Sequence, residues 1–178
     1  MLWGLIAVAT WLTGCATSPN DRAALPDRPY VPYFEISGRL SVRIGDRLDT
    51  AGFQWARESG RDTLRFFSPF GSQIAELTAT PAGAMLTRDG IVERDANLTA
   101  LVQTAIGVRL DADRLARWVQ GMDLAGAGAV LAADGEQAPW TVTAEDLRLM
   151  QGAKVATRVV ARQGETTVRV VIDAFLPK

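Results

Sequence analysis

Polar and apolar residues begin to alternate at Phe34. Phe34, Ile36, Gly38, Leu40, Val42 and Ile44 share one parity; Glu35, Ser37, Arg39, Ser41 and Arg43 share the other. Period two sends successive side chains to opposite faces, so this stretch predicts a long strand with one apolar face. Gly45-Asp46 supplies a turn. Ala51, Phe53 and Trp55 then alternate with Thr50, Gly52 and Gln54 in a second strand. Glu58-Ser59-Gly60 turns the chain again. Thr63–Phe67 and Gln73–Thr80 make a third and fourth strand, joined by SPFGS at 68–72. Short turns lead to Ala84–Thr87 and to Ile91–Arg94. Six successive antiparallel strands form a meander.

The period then changes. Leu98, Leu101, Val102, Ala105 and Ile106 fall on one stripe of a helix, with Asp95 or Asn97 to cap its start and Gly107 to end it. A second short helix is predicted from about Ala112 to Gln120. Asp111 is its N-cap, Leu115, Trp118 and Val119 are its stripe, and Gly121 is its stop. LAGAGAVLAADGEQAPW, residues 124–140, reads as loop. Its Gly126-x-Gly128 lacks the third glycine and the following helix that a phosphate site needs. Strands resume at Trp140–Ala144, Lys154–Ala161 and Thr166–Ala174. Strands followed by helices on one face of an antiparallel sheet make an α+β fold. Such a sheet curls as it twists, and two short helices can cover its concave side. The interior is then either a packed core or a lined hollow.

One turn stands out against this pattern. Pro69 and Gly71 are turn residues, and turns run over the surface, yet Phe70 lies between them. The plain reading is a ring folded back onto the domain. The alternative is an apolar side chain kept outside for a partner.

The N-terminus carries an address. Leu2–Leu12 is apolar apart from Gly4 and Thr10. That run is too short for the ~20 residues of a membrane-spanning helix and fits the apolar part of a secretory signal. It ends in Leu12-Thr13-Gly14-Cys15, which resembles the bacterial lipobox, in which the cysteine thiol is acylated and the peptide before it removed. No Lys or Arg precedes Cys15, a departure from the usual basic start. Residues 1–14 are thus expected to be a lipoprotein signal peptide. Residues 15–32, rich in proline and polar residues, read as the lipidated cysteine and an extended tether. Residues 33–178 read as a single domain. Ala16 follows the cysteine where many proteobacterial lipoproteins retained at the inner membrane carry Asp, which favours the outer membrane by resemblance.

Composition narrows the chemistry. The 178 residues contain no histidine and one cysteine. That removes the commonest general base, every Ser-His-Asp arrangement, internal disulfides and a cysteine zinc cluster. Net charge is −1 and the arginines are scattered, so no nucleic-acid partner is expected. No cofactor or metal is implied, and no enzyme.

FEISGRLSVR, AGFQW, LRFFSPFGSQIAELTATPAGA, LARWVQGM and TTVRVVIDAF, in that order after the lipobox, resemble the LolB family of outer-membrane lipoprotein receptors. The resemblance covers roughly residues 34 to 175 and is most specific at SPFG-x-x-x-AEL and L-x-x-W-x-x-G. It implies an incomplete, half-open antiparallel β-barrel closed by helices over an apolar cavity. It also implies a monomer that takes triacylated lipoproteins from the soluble periplasmic carrier LolA. Their acyl chains then pass into outer-membrane lipid, with the receptor lipid-anchored and facing the periplasm. The family's exposed apolar loop residue, usually leucine, corresponds to Phe70 between Pro69 and Gly71, and the family's acylated cysteine to Cys15. The alternating faces supply the expected acyl-chain wall: Ile36, Leu40, Val42, Phe53, Trp55, Leu64, Phe66, Leu77, Val168, Val170 and Ile172, with Leu101 and Trp118 from the helices. From periodicity alone a dry core is the better reading of these residues. Two other functions use the same features: a lipoprotein carrying free lipid in a half-barrel, and a scaffold subunit of an outer-membrane complex.

Overall fold

The computed structural model describes residues 28–96, 98–109, 111–122, 129–131 and 140–178. Cys15, the signal sequence and most of the tether lie outside them. Ten strands and two helices are present among the described residues. In chain order they are β1 (Phe34–Ile44), β2 (Arg47–Glu58), β3 (Arg61–Phe67), β4 (Gln73–Thr80), β5 (Gly83–Arg88), β6 (Ile91–Asp95), α1 (Leu98–Ile106), α2 (Ala112–Val119), β7 (Ala129–Leu131), β8 (Trp140–Met150), β9 (Ala153–Gln163) and β10 (Thr166–Pro177).

The strands form one antiparallel sheet in the order β6-β5-β4-β3-β2-β1-β10-β9-β8-β7. The first meander runs outward from β1, and the last four strands run back to it, so β10 pairs with β1. β6 and β7 are the free edges, which leaves the barrel open. The helices join those two edges in sequence and lie across the inner face. α1 packs on β4, β5 and β6, and α2 on β8 and β9.

Alternation sets the two faces as the sequence predicts. Phe34, Ile36, Val42, Phe53, Trp55, Phe66, Leu77, Val168, Val170 and Ile172 are buried inside. Phe34 is central, edge-on to the Trp55 ring with centroids 5.1 Å apart, and 5.4 Å from Phe175. Gly38 interrupts the inward series for a steric reason. The register of β1 on β10 shifts between Ser37 and Gly38, and a Cβ on Gly38 would stand 1.9 Å from the Val171 carbonyl oxygen. Only glycine lets the two backbones approach in this way.

Asp111 caps α2 by accepting a hydrogen bond from the Arg114 N–H at 2.8 Å. Gly107, with φ +76°, ends α1. Two stretches differ from the sequence reading. The segment read as loop contains β7, a three-residue strand paired with Trp140–Val142. A run so short, set between glycines and alanines, carries no alternation to detect. β8 also continues past Ala144 to Met150, because β9 pairs with it along its length while Glu145-Asp146 breaks the alternation. Asp146 has φ +53°.

The folded domain begins before β1. Tyr30 and Val31 pack against the core, and the buried Gln120 amide grips Val31 in both directions. It accepts from the Val31 N–H at 2.8 Å and donates to the Val31 carbonyl at 3.0 Å. The chain therefore enters the domain beside α2, at the end of the barrel where β1 starts.

Candidate functional site at the mouth of the half-barrel

The opposite end of the barrel is built from hairpin tips. There β1 turns into β2, β3 into β4, β5 into β6 and β9 into β10. SPFGS is the β3–β4 tip. The Gly71 N–H donates to the Ser68 carbonyl at 2.9 Å, which makes Pro69 and Phe70 the central residues of a β-turn. Gly71 takes φ +84°, and the Ser68 N–H closes the loop on the Ser72 carbonyl at 2.8 Å. Pro69 fixes the turn from one side and Gly71 from the other. Phe70 is left 96% exposed. Burying a phenylalanine side chain stabilises by about 1.5–3 kcal/mol, and this turn forgoes that gain.

Phe70 is not alone. Ile44 and Leu48 flank the β1–β2 tip, Ile74 follows the β3–β4 tip, and Ile91 and Val92 follow the β5–β6 tip; all are exposed. These side chains form an apolar rim. Strand periodicity alone does not show it: Ile44 and Ile91 keep the inward parity yet are exposed because their strands end there, whereas Leu48, opposite Arg43, and Val92, opposite Thr87, face outward.

Inside the rim a hollow of about 630 Å³ opens between the sheet and the C-terminal end of α1. Its wall includes Leu40, Val42, Ile44, Phe66, Ile74 and Ile106, and its margin carries Arg47, Asp49, Arg88 and Asp89. Deeper between helices and sheet lies a second space of about 50 Å³ with an almost wholly apolar wall, which Asp111 touches at the start of α2. Leu40, Phe53, Trp55, Leu64, Phe66 and Val170 line it from the sheet, and Val102, Ile106 and Leu115 from the helices. The two spaces share Leu40, Phe66 and Ile106. Of the wall residues expected from sequence, these six sheet residues border the inner space, and Val42 borders the hollow. Ile36, Leu77, Leu101, Trp118, Val168 and Ile172 are instead packed into the core and border neither. The helix residues Val102, Ile106 and Leu115, not Leu101 and Trp118, form the roof. At roughly 10–15 Å³ of such space per water, the inner space holds only a few water-sized groups. An acyl chain requires the roof to lift.

The far end of the roof is tied down by charge. Arg57 continues the inward series Phe53, Trp55 on β2, an unusual place for a cation. It pairs with Asp62 of β3 at 3.4 Å and with Asp113 of α2. Asp62 also accepts from the Trp55 indole N–H at 2.8 Å. Burial raises the Asp62 carboxyl above the usual carboxylate range, against the lowering influences of the Trp55 hydrogen bond and Arg57. For Arg57, burial acts downward, but Asp62 and Asp113 hold its pKa above the ordinary value. One guanidinium nitrogen, Nη1, is buried without a protein partner. The sequence signal was available: a charge at an inward parity position of an otherwise apolar strand face.

The profile of the family described as "Outer membrane lipoprotein LolB" matches residues 32–175. Among curated proteins, the "Outer-membrane lipoprotein LolB" of Chromobacterium violaceum is 28% identical over 96% of this chain and 96% of its own. That of Azoarcus sp. (strain BH72) is 30% identical over 92% of this chain and 89% of its own. Among solved structures, a DUF1329 family protein from Desulfovibrio piger superposes with a TM-score of 0.53 at 6% identity, over 83% of this chain and 86% of that one. This last likeness concerns the fold alone. The open ten-stranded sheet, the two helices across it and the sequence match over residues 32–175 agree: the chain belongs to the outer-membrane lipoprotein LolB family.

Proposed function

We propose that this protein accepts lipid-modified proteins from a soluble periplasmic carrier of the LolA type and delivers their acyl chains into the outer membrane. Its family is one of outer-membrane lipoproteins. Among the described residues no helix is long and apolar enough to cross a bilayer. In this reading Cys15 is acylated and holds the protein at the membrane, and residues up to about 29 act as its tether. No covalent step is needed.

The physical problem is water. Each buried CH₂ is worth about 0.8 kcal/mol, so three acyl chains exposed to water cost on the order of tens of kcal/mol. Transfer must offer an apolar wall at every stage. The hollow at the mouth is the entry, and the space under Val102, Ile106 and Leu115 is where chains go once α1 and α2 shift outward. Each helix packs mainly on its own arm of the sheet, so they can part without breaking a strand pair. Net direction requires a graded affinity: carrier weakest, this interior stronger, bilayer strongest.

The observation that carries the reading is the 96% exposure of Phe70 on a hydrogen-bonded turn at the same end as the mouth. A ring held there meets the bilayer first and puts the exit beside lipid. The test follows a labelled lipoprotein from the carrier to this protein and then to liposomes. Phe70→Glu is expected to fold normally and accept cargo at the wild-type rate, while delivery to liposomes stalls. Phe70→Leu is expected to deliver. Wild-type delivery by Phe70→Glu would remove the turn from the mechanism. Phospholipid rather than lipoprotein co-purifying with the protein would favour the free-lipid alternative.

A further inference from the structure

We propose that the outer face of the sheet beside the Phe70 turn binds the anionic headgroups of the phospholipids into which cargo is delivered. The inference rests on the membrane role of Phe70 and adds a second, electrostatic contact. Arg39 and Arg43 of β1, Arg169 of β10 and Arg162 of β9 all sit on outward positions and are exposed. The strand register gathers them. Ser41 lies opposite Arg169, Arg43 opposite Thr167, and Thr167 opposite Arg162. Arg169 is therefore diagonal to both Arg43 and Arg162, within reach of long side chains.

The acids nearby neutralise Arg39 and leave the other three arginines of the cluster unpaired among the described residues. Asp173 pairs with Arg39 at 3.3 Å, and Glu145 pairs with the adjacent Arg158 at 3.3 Å. Glu165 stands out on the β9–β10 tip beside Gly45. Arg43, Arg162 and Arg169 have no ion pair among the described residues. A whole chain of net charge −1 thus carries a local cationic face.

The cluster adjoins the turn. Arg39, Ser41, Thr50, Gly52, Pro69 and Arg169 line a groove of about 230 Å³ on this face. Gly52 has no side chain to fill it. The unpaired Arg169 guanidinium, with Arg39 shared with Asp173 and two hydroxyls around the same space, is phosphate-binding chemistry. Pro69 immediately precedes Phe70, so a phosphate held here lies at the level from which the ring enters the tails. Charge complementarity and this continuity both select a bilayer bearing anionic phospholipid. An acidic protein surface would meet the arginines but leave Phe70 in water.

The test uses the full acylated protein reconstituted through its own anchor. The vesicles are either phosphatidylcholine alone or phosphatidylcholine with about one third phosphatidylglycerol. With Cys15 acylated, Ser72→Cys offers a unique thiol for an environment-sensitive dye that reads insertion of the turn. Cargo delivery is followed in parallel. At about fivefold per arginine, insertion is expected to favour anionic vesicles by on the order of 100-fold at low salt, less at physiological salt. The triple variant Arg43→Gln, Arg162→Gln, Arg169→Gln is expected to lose that preference yet insert and deliver like wild type on zwitterionic vesicles. The same three positions changed to lysine are expected to keep it. The charge-matched control Arg61→Gln, Arg94→Gln, Arg148→Gln is also expected to keep it. Equal insertion of wild type on both vesicles, or a preference that survives the triple glutamine variant, overturns the proposal. So does equal loss in the control. If instead Phe70→Glu delivers normally while the lipid preference stays with the arginines, the Phe70 reading fails and the headgroup site remains.

Discussion

Single residues in this protein are decided by backbone geometry before side-chain chemistry. Gly38 shows it most sharply. A Cβ there would stand 1.9 Å from the Val171 carbonyl oxygen, and a backbone atom cannot swing aside as a side-chain tip can. Gly38→Ala is expected to destabilise the domain by about 3 kcal/mol, read as a lower denaturant midpoint, by forcing β1 away from β10. A variant within 0.5 kcal/mol of wild type, a size roughly typical of surface changes, would mean the bulge relaxes without cost. Asp62 gives a pH signature. Its carboxyl is raised by burial, more than Trp55 and Arg57 lower it. A group raised on folding contributes stability that is fully present below its unfolded pKa and lost as pH rises through its folded value. Asp62→Asn keeps an acceptor for the Trp55 indole N–H and does not titrate. Its stability, measured by denaturant midpoints, is expected to lack the loss that Asp62 imposes on wild type as pH rises upward from the ordinary aspartate range. Superimposable curves would contradict this.

At the scale of elements, α2 is held by two kinds of contact. Ala116, Trp118 and Val119 are buried, and Asp113 reaches down to Arg57. Removing that tie leaves the apolar face intact and loosens the N-terminal turn. Asp113→Ala is therefore expected to raise amide hydrogen exchange in α2, with exchange in β1 and β10 unchanged. Uniform exchange in wild type and variant would show that the tie carries no restraint. Much at this scale was legible in the sequence. The meander through β6, both helices, the Asp111 cap and the final strand follow from periodicity and turn residues. What was not legible has a common cause. β7 is too short for a period, the second half of β8 is broken at Glu145-Asp146, and both exist because a neighbouring strand offers hydrogen bonds. Likewise Arg57 and Asp113 are 56 positions apart and meet only once α2 lies across the sheet.

For the whole molecule, the two ends of the half-barrel differ. One end receives the incoming chain at Val31, clamped by Gln120, and holds the Arg57 network. The other gathers the hairpin tips, with Phe70, the apolar rim and the mouth. The exposed turn was visible in the sequence as an aromatic between Pro69 and Gly71. The rim was not, because it depends on the β1–β2, β3–β4 and β5–β6 tips lying together at one end of the sheet, nor was the arginine face, because it depends on strands from both ends of the chain meeting at β1 and β10. The interior wall was visible only as a list of inward positions. Which of them border open space, and which pack solid, is set by where α1 and α2 rest. With about 50 Å³ in the inner space, occupancy by acyl chains demands that these helices move.

That demand is the central claim, and adjacent phenylalanines test it. Phe66 borders the inner space, whereas Phe67 lies opposite Gly52 on the outer face. A photo-crosslinking phenylalanine analogue is placed at one position or the other, and lipoprotein with radiolabelled acyl chains is then loaded from the carrier. Acyl-chain adducts are expected at 66 and not at 67. Equal labelling at both, or labelling at 67 alone, would show that the chains never enter the space between helices and sheet.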